Sequence, residues 1–378
     1  MLRPGFARCP SCFQRTLIVV SVLAVVSTPA SSQLLRFESK GARETTGIIF
    51  GSVLTKENGV PLAYSTVAIP ALAKQLFTND SGVFAIPDLP AGPTKLRVRH
   101  LGYSPVDIVV DVRAGGIDTV RVALTHIVVQ LSPVQVRADA ECVEPGVPTA
   151  LGDSAFLMVF DQLRANAEQY RLLTDAYPFR TLTERRLGHT LVNGDLRLDS
   201  IDTLVIDSRL QWTYRPGDVL TRSGQTRFNS GTLMLNIPTI AQFADQPFLD
   251  NHCFYNGGTE TLDGAELLRI DFVAAARIRT PDVSGSIYLD PKTFQIRRSV
   301  LHLSRIPREV SGLLATEAIT VFEEALPSVP IIAAITSVNR LEANPRRKEA
   351  TALMNEQQTL LRVDFLRGRP GQQAQQRH

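Results

Sequence analysis

The chain has 378 residues, 44% of them hydrophobic and 20% charged, which suits two or three globular domains with real cores. Its formal charge of +3 is carried by Arg3, Arg8 and Arg15, in a stretch of 32 residues that holds no acid, so the remainder is neutral (+3 − 3 = 0). A neutral remainder with no broad basic face argues against a nucleic-acid partner.

The first segment reads as an export signal. The three arginines precede an apolar run over residues 17–26. That run is shorter than the roughly 20 residues a membrane-spanning helix needs. Small residues at Ala30 and Ser32 place cleavage after Ser32, making 1–32 the signal peptide. Cys9 and Cys12 form a C-x-x-C inside this segment and would leave with it. No cysteine follows the apolar run to take a lipid, and no later segment approaches a helical span. The expectation is an exported chain in the periplasm or associated with the outer membrane, with no transmembrane span in the mature form.

Residues 46–137 read as a run of short strands. Apolar residues alternate at Val67 and Ile69, Val83 and Ala85, Leu96 and Val98, Val106, Ile108 and Val110, and Val120, Val122 and Leu124. A period of two buries one face and wets the other. Asn79, Asp80, Ser81 and Gly82 form a turn between two such runs, with Gly supplying a positive φ. Strands at this spacing predict an antiparallel sandwich.

The same residues carry a family pattern. Gly51 and Val53 open it, Pro61 and Leu62 lead into the second strand, and Thr78, Gly82 and Phe84 frame the turn. Leu89, Pro90 and Gly92 come next, then Leu101, Gly102 and Tyr103. This segment resembles the carboxypeptidase regulatory-like domain, a small transthyretin-like sandwich of seven strands. The resemblance implies a module that is itself non-catalytic. It accompanies metallocarboxypeptidases and starts many outer-membrane receptors of the TonB-dependent class, and some members of the wider sandwich family bind carbohydrate. The link from Leu131 through Arg137 is similar to the segment after the domain in those receptors. Too little chain remains for a receptor barrel with its plug, so a complete transporter is not expected.

Beyond the sandwich, residues 138–366 are expected to form an α+β domain, and 367–378 a disordered tail. Cys142 and Cys253 are the cysteines left after the signal, and in an oxidising compartment they are expected to pair; two buried thiols are the rival reading. Such a bridge would contribute about 4–5 kcal/mol in the chain-entropy model. Gly152, Asp153 and Ser154 match the opening of one esterase motif, but no buried strand precedes them and no D-x-x-H comes after. Asp153 or Ser154 reads instead as a helix cap. Phe156, Phe160, Leu163, Ala167, Tyr170 and Leu173 recur at helical spacing, with Arg164, Glu168, Arg171 and Asp175 on the other side, predicting an amphipathic helix over residues 154–174.

Strands are expected to return after Thr181. Candidates are Leu196 and Leu198, Leu204 and Ile206, Leu210, Trp212 and Tyr214, Leu233, Leu235 and Ile237, Ile270 and Phe272, Ile287 and Leu289, Phe294 and Ile296, and Ile319 and Val321. Residues 329–335 and 360–366 would add more. Asp290, Pro291, Lys292 and Thr293 make a hairpin turn, since proline presets φ at the second turn position. The hairpin over residues 284–296 resembles one of the periplasmic lipoprotein-carrier proteins, whose curved antiparallel sheet holds helices in its concave side. The fold class is mainly β: a seven-stranded antiparallel β-sandwich, then an α+β domain with a long helix and a large antiparallel sheet.

Candidate chemistry is sparse. His100, His126, His189, His252, His302 and His378 begin no H-x-x-E or H-E-x-x-H zinc motif. His252 with Cys253 is an adjacent soft-ligand pair, but a zinc site would need two more ligands. No glycine-rich phosphate loop and no G-x-S-x-G occurs. Glu323 and Glu324 read as a strand's wet edge, Asp271 and Asp290 as structural, and Trp212 with Tyr214 as one alternating face, although the pair could also stack on a sugar. No catalytic, cofactor or metal residue is assigned. The expectation is a non-enzymatic envelope protein that binds or assembles, with an envelope protein or glycan as partner. A periplasmic carrier of lipid or another apolar ligand is the alternative. A hydrolase whose site is assembled from scattered residues is the third reading.

Overall fold

The computed structural model describes residues 46–131, 141–149, 153–210, 212–223, 232–306, 312–326, 329–342 and 350–367. The expected signal peptide with its Ser32 cleavage, most of the link to Arg137 and nearly all of the tail lie outside them.

The N-terminal strands are β1 (Thr46–Thr55), β2 (Thr66–Ile69), β3 (Lys74–Phe77), β4 (Val83–Pro90), β5 (Gly92–Arg99), β6 (Val106–Val112) and β7 (Ile117–Leu124). They form two sheets, ordered β4-β1-β7 and β3-β2-β5-β6. Alternate residues of both sheets meet in one core around Ile49, Val53, Val67, Phe84, Leu96, Val98, Val122 and Leu124. The turn after Thr78 works through Asn79, whose side chain accepts from Ser81 N at 3.0 Å and Val83 N at 2.9 Å. Gly82 has a φ of 70°, and a Cβ there would lie 2.7 Å from the Val53 carbonyl oxygen, so the position admits glycine on both counts.

One pairing departs from the antiparallel expectation. β1 and β7 run parallel, with Ile48 opposite Ile117 and Thr55 opposite Leu124. The reason is topological: β6 belongs to the other sheet, so β7 arrives by a crossover, and a crossover can return parallel where a tight hairpin cannot.

The remainder holds α1 (Ser154–Ala176), β8 (Phe179–Leu191), β9 (Leu196–Asp207), β10 (Leu220–Ser223), β11 (Thr232–Leu235), α2 (Gln246–Leu249), β12 (His252–Leu262), β13 (Ala265–Ala274), β14 (Val283–Leu289), β15 (Ile296–Leu303), β16 (Leu313–Leu326), β17 (Val329–Leu341) and β18 (Thr351–Phe365). Asp153 caps α1, its Oδ1 accepting from Phe156 N at 3.0 Å. That satisfies one of the free amides at the helix start. Among the described residues, nine strands form one antiparallel sheet, ordered β12-β13-β14-β15-β16-β17-β18-β8-β9. α1 lays Phe156, Phe160, Leu163 and Ala167 into a core with Phe243, Phe248, Phe254, Ile270, Phe272 and Ile287. The Asp290 turn forms as expected, the carboxylate accepting from Lys292 N at 2.8 Å and Thr293 N at 2.9 Å.

Three strand expectations fail in whole or in part, the smallest at Ile237, which lies past the end of β11 at Leu235. Trp212 and Tyr214 lie in irregular chain, because their rings tuck into the core individually and Pro216 and Gly217 come at once after them. Phe294 has a φ of 56° and belongs to the turn, so β15 begins at Ile296.

The sandwich is fastened to the second core. Gly102 N donates to the buried Gln162 Oε1 at 2.9 Å, Gln169 Nε2 donates to the Tyr64 carbonyl at 3.3 Å, and Arg99 pairs with Glu168 at 2.6 Å. Ile127 and Leu131, just past β7, already pack in the α1 core.

Candidate functional site: a cleft beside the disulfide

Cys142 and Cys253 are bonded, with their Cα atoms 5.5 Å apart. The bond pins residues 141–149 alongside the start of β12, where Gly146 N donates to the His252 carbonyl at 3.0 Å and Ala276 N to the Cys142 carbonyl at 2.8 Å. The loop stands off from the rest of the strand and leaves a cleft of about 750 Å³. That is within the size of small-ligand sites. Glu141, Glu144, Asp153, Tyr255 and Asn256 supply polar groups to its lining, and Phe156 and Phe254 add aromatic rings. Asp153 Oδ2 accepts from Asn256 Nδ2 at 2.7 Å while its other oxygen caps α1, so the helix start and β12 are locked together. Asn256 Oδ1 in turn takes Gly258 N at 2.8 Å. Burial pushes the Tyr255 hydroxyl's pKa up, keeping it a neutral donor. Carboxylates and an amide beside an aromatic ring are suited to a hydroxyl-rich or amine-bearing ligand.

The residues flagged by sequence fall differently. His252 is fully buried and stacks on Phe248 with ring centroids 3.9 Å apart. Its Nδ1 is 2.8 Å from the Phe248 carbonyl and its Nε2 3.0 Å from the Val283 carbonyl, so both ring nitrogens face structural partners. With Cys253 in the disulfide, neither member of that pair is available to a metal. Tyr214 Oη donates to Asp282 Oδ2 at 2.7 Å, and burial raises the tyrosine pKa. Asp282 also accepts from Val283 N and sits 3.6 Å from His252 Nε2. This buried His252, Asp282 and Tyr214 cluster was not legible in the sequence, since its members are far apart in the chain. Trp212 packs edge-on against Tyr214 at 6.0 Å and joins the core instead of forming a stacking surface. Asp271 is held by Arg269 and Ser286, and Glu323 and Glu324 are exposed on β16.

The inner face of the large sheet is the other candidate region. One cross-strand row reads Ile270, Ile287, Ser299, Thr320, Ile335, Gln358, Arg185 and Asp202. The neighbouring row reads Phe272, Gly285, Leu301, Ala318, Ser337, Glu356, Leu187 and Ser200. Both begin apolar under α1 and turn largely polar beyond β16. The apolar half is filled by aromatic side chains, and the open half offers mainly hydroxyl, amide and charged groups.

The sandwich's two-sheet order and its Asn79 turn bring the family into view. Residues 48–125 match the carboxypeptidase regulatory-like domain family. No curated protein matches the chain. Among solved structures, similarity extends to a DUF1329 family protein from Desulfovibrio piger at 9% identity, covering 56% of this chain and 93% of that one, with a TM-score of 0.29. A LolA superfamily protein from Nitrosomonas europaea is similar at 9% identity, covering 56% of this chain and 95% of that one, also with a TM-score of 0.29. These likenesses are remote. The regulatory-like domain contributes no residue to the cleft, which belongs to α1, β12 and the disulfide loop.

Proposed function

We propose that this is an exported, non-enzymatic binding protein of the cell envelope, whose cleft beside the Cys142–Cys253 disulfide takes a hydroxyl-rich ligand such as a glycan. The observation that carries the reading is the cleft itself: Glu141, Glu144, Asp153 and Asn256 line it together with Tyr255 and Phe156. The disulfide and the arginine-led apolar segment at the N-terminus support export. The regulatory-like sandwich, fixed to α1, would act as a rigid platform for assembly with an envelope partner.

Carriage of lipid is the second reading. The filling of the apolar inner face by Phe160, Phe243, Phe248 and Phe272 weighs against it, because an acyl chain needs the volume those rings occupy. Isothermal titration with envelope saccharides tests the first reading. Tyr255→Ala and Glu144→Ala should each weaken binding by about tenfold, roughly 1.4 kcal/mol. Absence of saccharide binding together with extractable lipid would replace it with the second.

A further inference from the structure

The last strand of the large sheet is unlike the first. β12 begins under the disulfide loop, which covers part of its edge. β9, at the other end, runs for twelve residues with no strand beyond it among the described residues. Its register against β8 skips one residue: Gly188 lies opposite Leu198 and Leu187 opposite Ser200, so Asp199 is a bulge. The extra residue shifts the alternation by one. As a result Leu196, Leu198, Ile201 and Val205 all point to the same face, opposite Thr190, Gly188, Arg186 and Leu182 of β8. Those four are 73%, 61%, 54% and 66% exposed. Without the bulge, Leu196 and Leu198 would fall on the face opposite to Ile201 and Val205. A long edge strand with an aligned aliphatic stripe is a template for another strand.

We propose that β9 is the seam of a two-fold dimer, in which two copies of this chain pair antiparallel through Ile201. The strand is self-complementary in that arrangement. With Ile201 opposite itself, and each Asp199 left out as it is against β8, Ser200 faces Asp202, Leu198 faces Thr203, Arg197 faces Leu204 and Leu196 faces Val205. The stripes of the two copies then join into one patch of Leu196, Leu198, Ile201 and Val205 from each. On the other face, Arg197 makes no ion pair among the described residues. Across the seam it lies diagonal to Asp202 of the second copy, within reach of a long side chain. Asp202 already holds Arg185 at 3.0 Å and so is fixed in place to receive it. The covered start of β12 disfavours head-to-tail addition of β9 to that edge, so the symmetric contact closes on itself instead of growing into a filament.

Sedimentation velocity on the purified protein tests this. The wild type is expected to sediment as a dimer at about 10 µM. Ile201→Lys is expected to weaken association at least tenfold while keeping the Cys142–Cys253 bond and the wild-type circular-dichroism spectrum. Ile201→Cys should form an intermolecular disulfide under mild oxidation, because that residue meets its own copy on the axis, whereas Leu210→Cys, outside β9, should not. A wild type that stays monomeric at about 100 µM overturns the proposal. So does a dimer that neither Ile201→Lys weakens nor Ile201→Cys cross-links; that result would place the contact on another surface.

Discussion

The two halves of the nine-stranded sheet are built alike and used differently. From β12 to β15 the inner face is Ile270, Phe272, Ile287, Leu289 and Leu301, packed against α1 and α2. From β17 through β18 to β8 the same rows continue as Ile335 and Ser337, then Gln358 and Glu356, then Arg185 and Leu187. The ladder is continuous, so backbone pairing does not explain the change. Side-chain chemistry does: α1 buries Phe156, Phe160, Leu163 and Ala167 on the half with the larger apolar area, at roughly 25 cal/mol per Å², and reaches the other half through the smaller cluster of Leu173, Phe179 and Ile331. Stability is therefore expected to reside in one half, and tolerance to substitution in the other.

The largest expected effect separates the halves directly. Leu163→Ala, on the buried face of α1, should cost about 3–5 kcal/mol in chemical denaturation, as transfer and cavity terms add. Gln358→Ala, on the polar half, should stay within about 0.5 kcal/mol. Equal losses would break the comparison.

The next effect probes how the sandwich meets α1. His100 lies 3.1 Å from Ser65 Oγ, and burial holds its pKa at about 4, below the usual histidine value. The unfolded chain binds this proton first as pH falls. Stability should thus be full above about pH 6.5 and decline towards pH 4, by up to about 3 kcal/mol, measured as a melting-temperature profile. His100→Gln should flatten the profile in that window.

A smaller loss, about 1 kcal/mol, is expected for Asp153→Ala, which removes the α1 cap and the Asn256 tie. The smallest effect has the opposite sign. Ser299 Oγ and Thr320 Oγ1 are buried at the boundary between the halves, without a hydrogen-bond partner among the described residues. Thr320→Val replaces an unpaired hydroxyl with a methyl of the same shape, and should be neutral or stabilise by up to about 1 kcal/mol. A clear destabilisation would mean that the hydroxyl has a bound partner.

Much of the fold was legible in local pattern. The Asn79 turn, the Asp153 cap, the stripe from Phe156 to Leu173 and the Asp290 turn depend on residues within a few positions of one another. The expectations that failed depended on distant residues. Trp212 and Tyr214 alternate like a strand, yet Tyr214 is placed by Asp282, 68 residues away. β1 and β7 are parallel because β6 lies in the other sheet, which no local spacing encodes. The division of the large sheet and the cleft under residues 141–149 appear only once register and the disulfide loop are fixed.

The central claim is that the ligand is polar and sits beside the disulfide at the β12 edge, away from the polar half of the sheet's inner face. Amide chemical-shift mapping during titration with envelope saccharides tests it most directly. The account predicts saturable shifts clustered at Glu144, Tyr255 and Asn256, with Ser337 and Gln358 unmoved. Shifts confined to the polar half of the inner face around Ser337 and Gln358, or seen with a fatty acid and no saccharide, would contradict it.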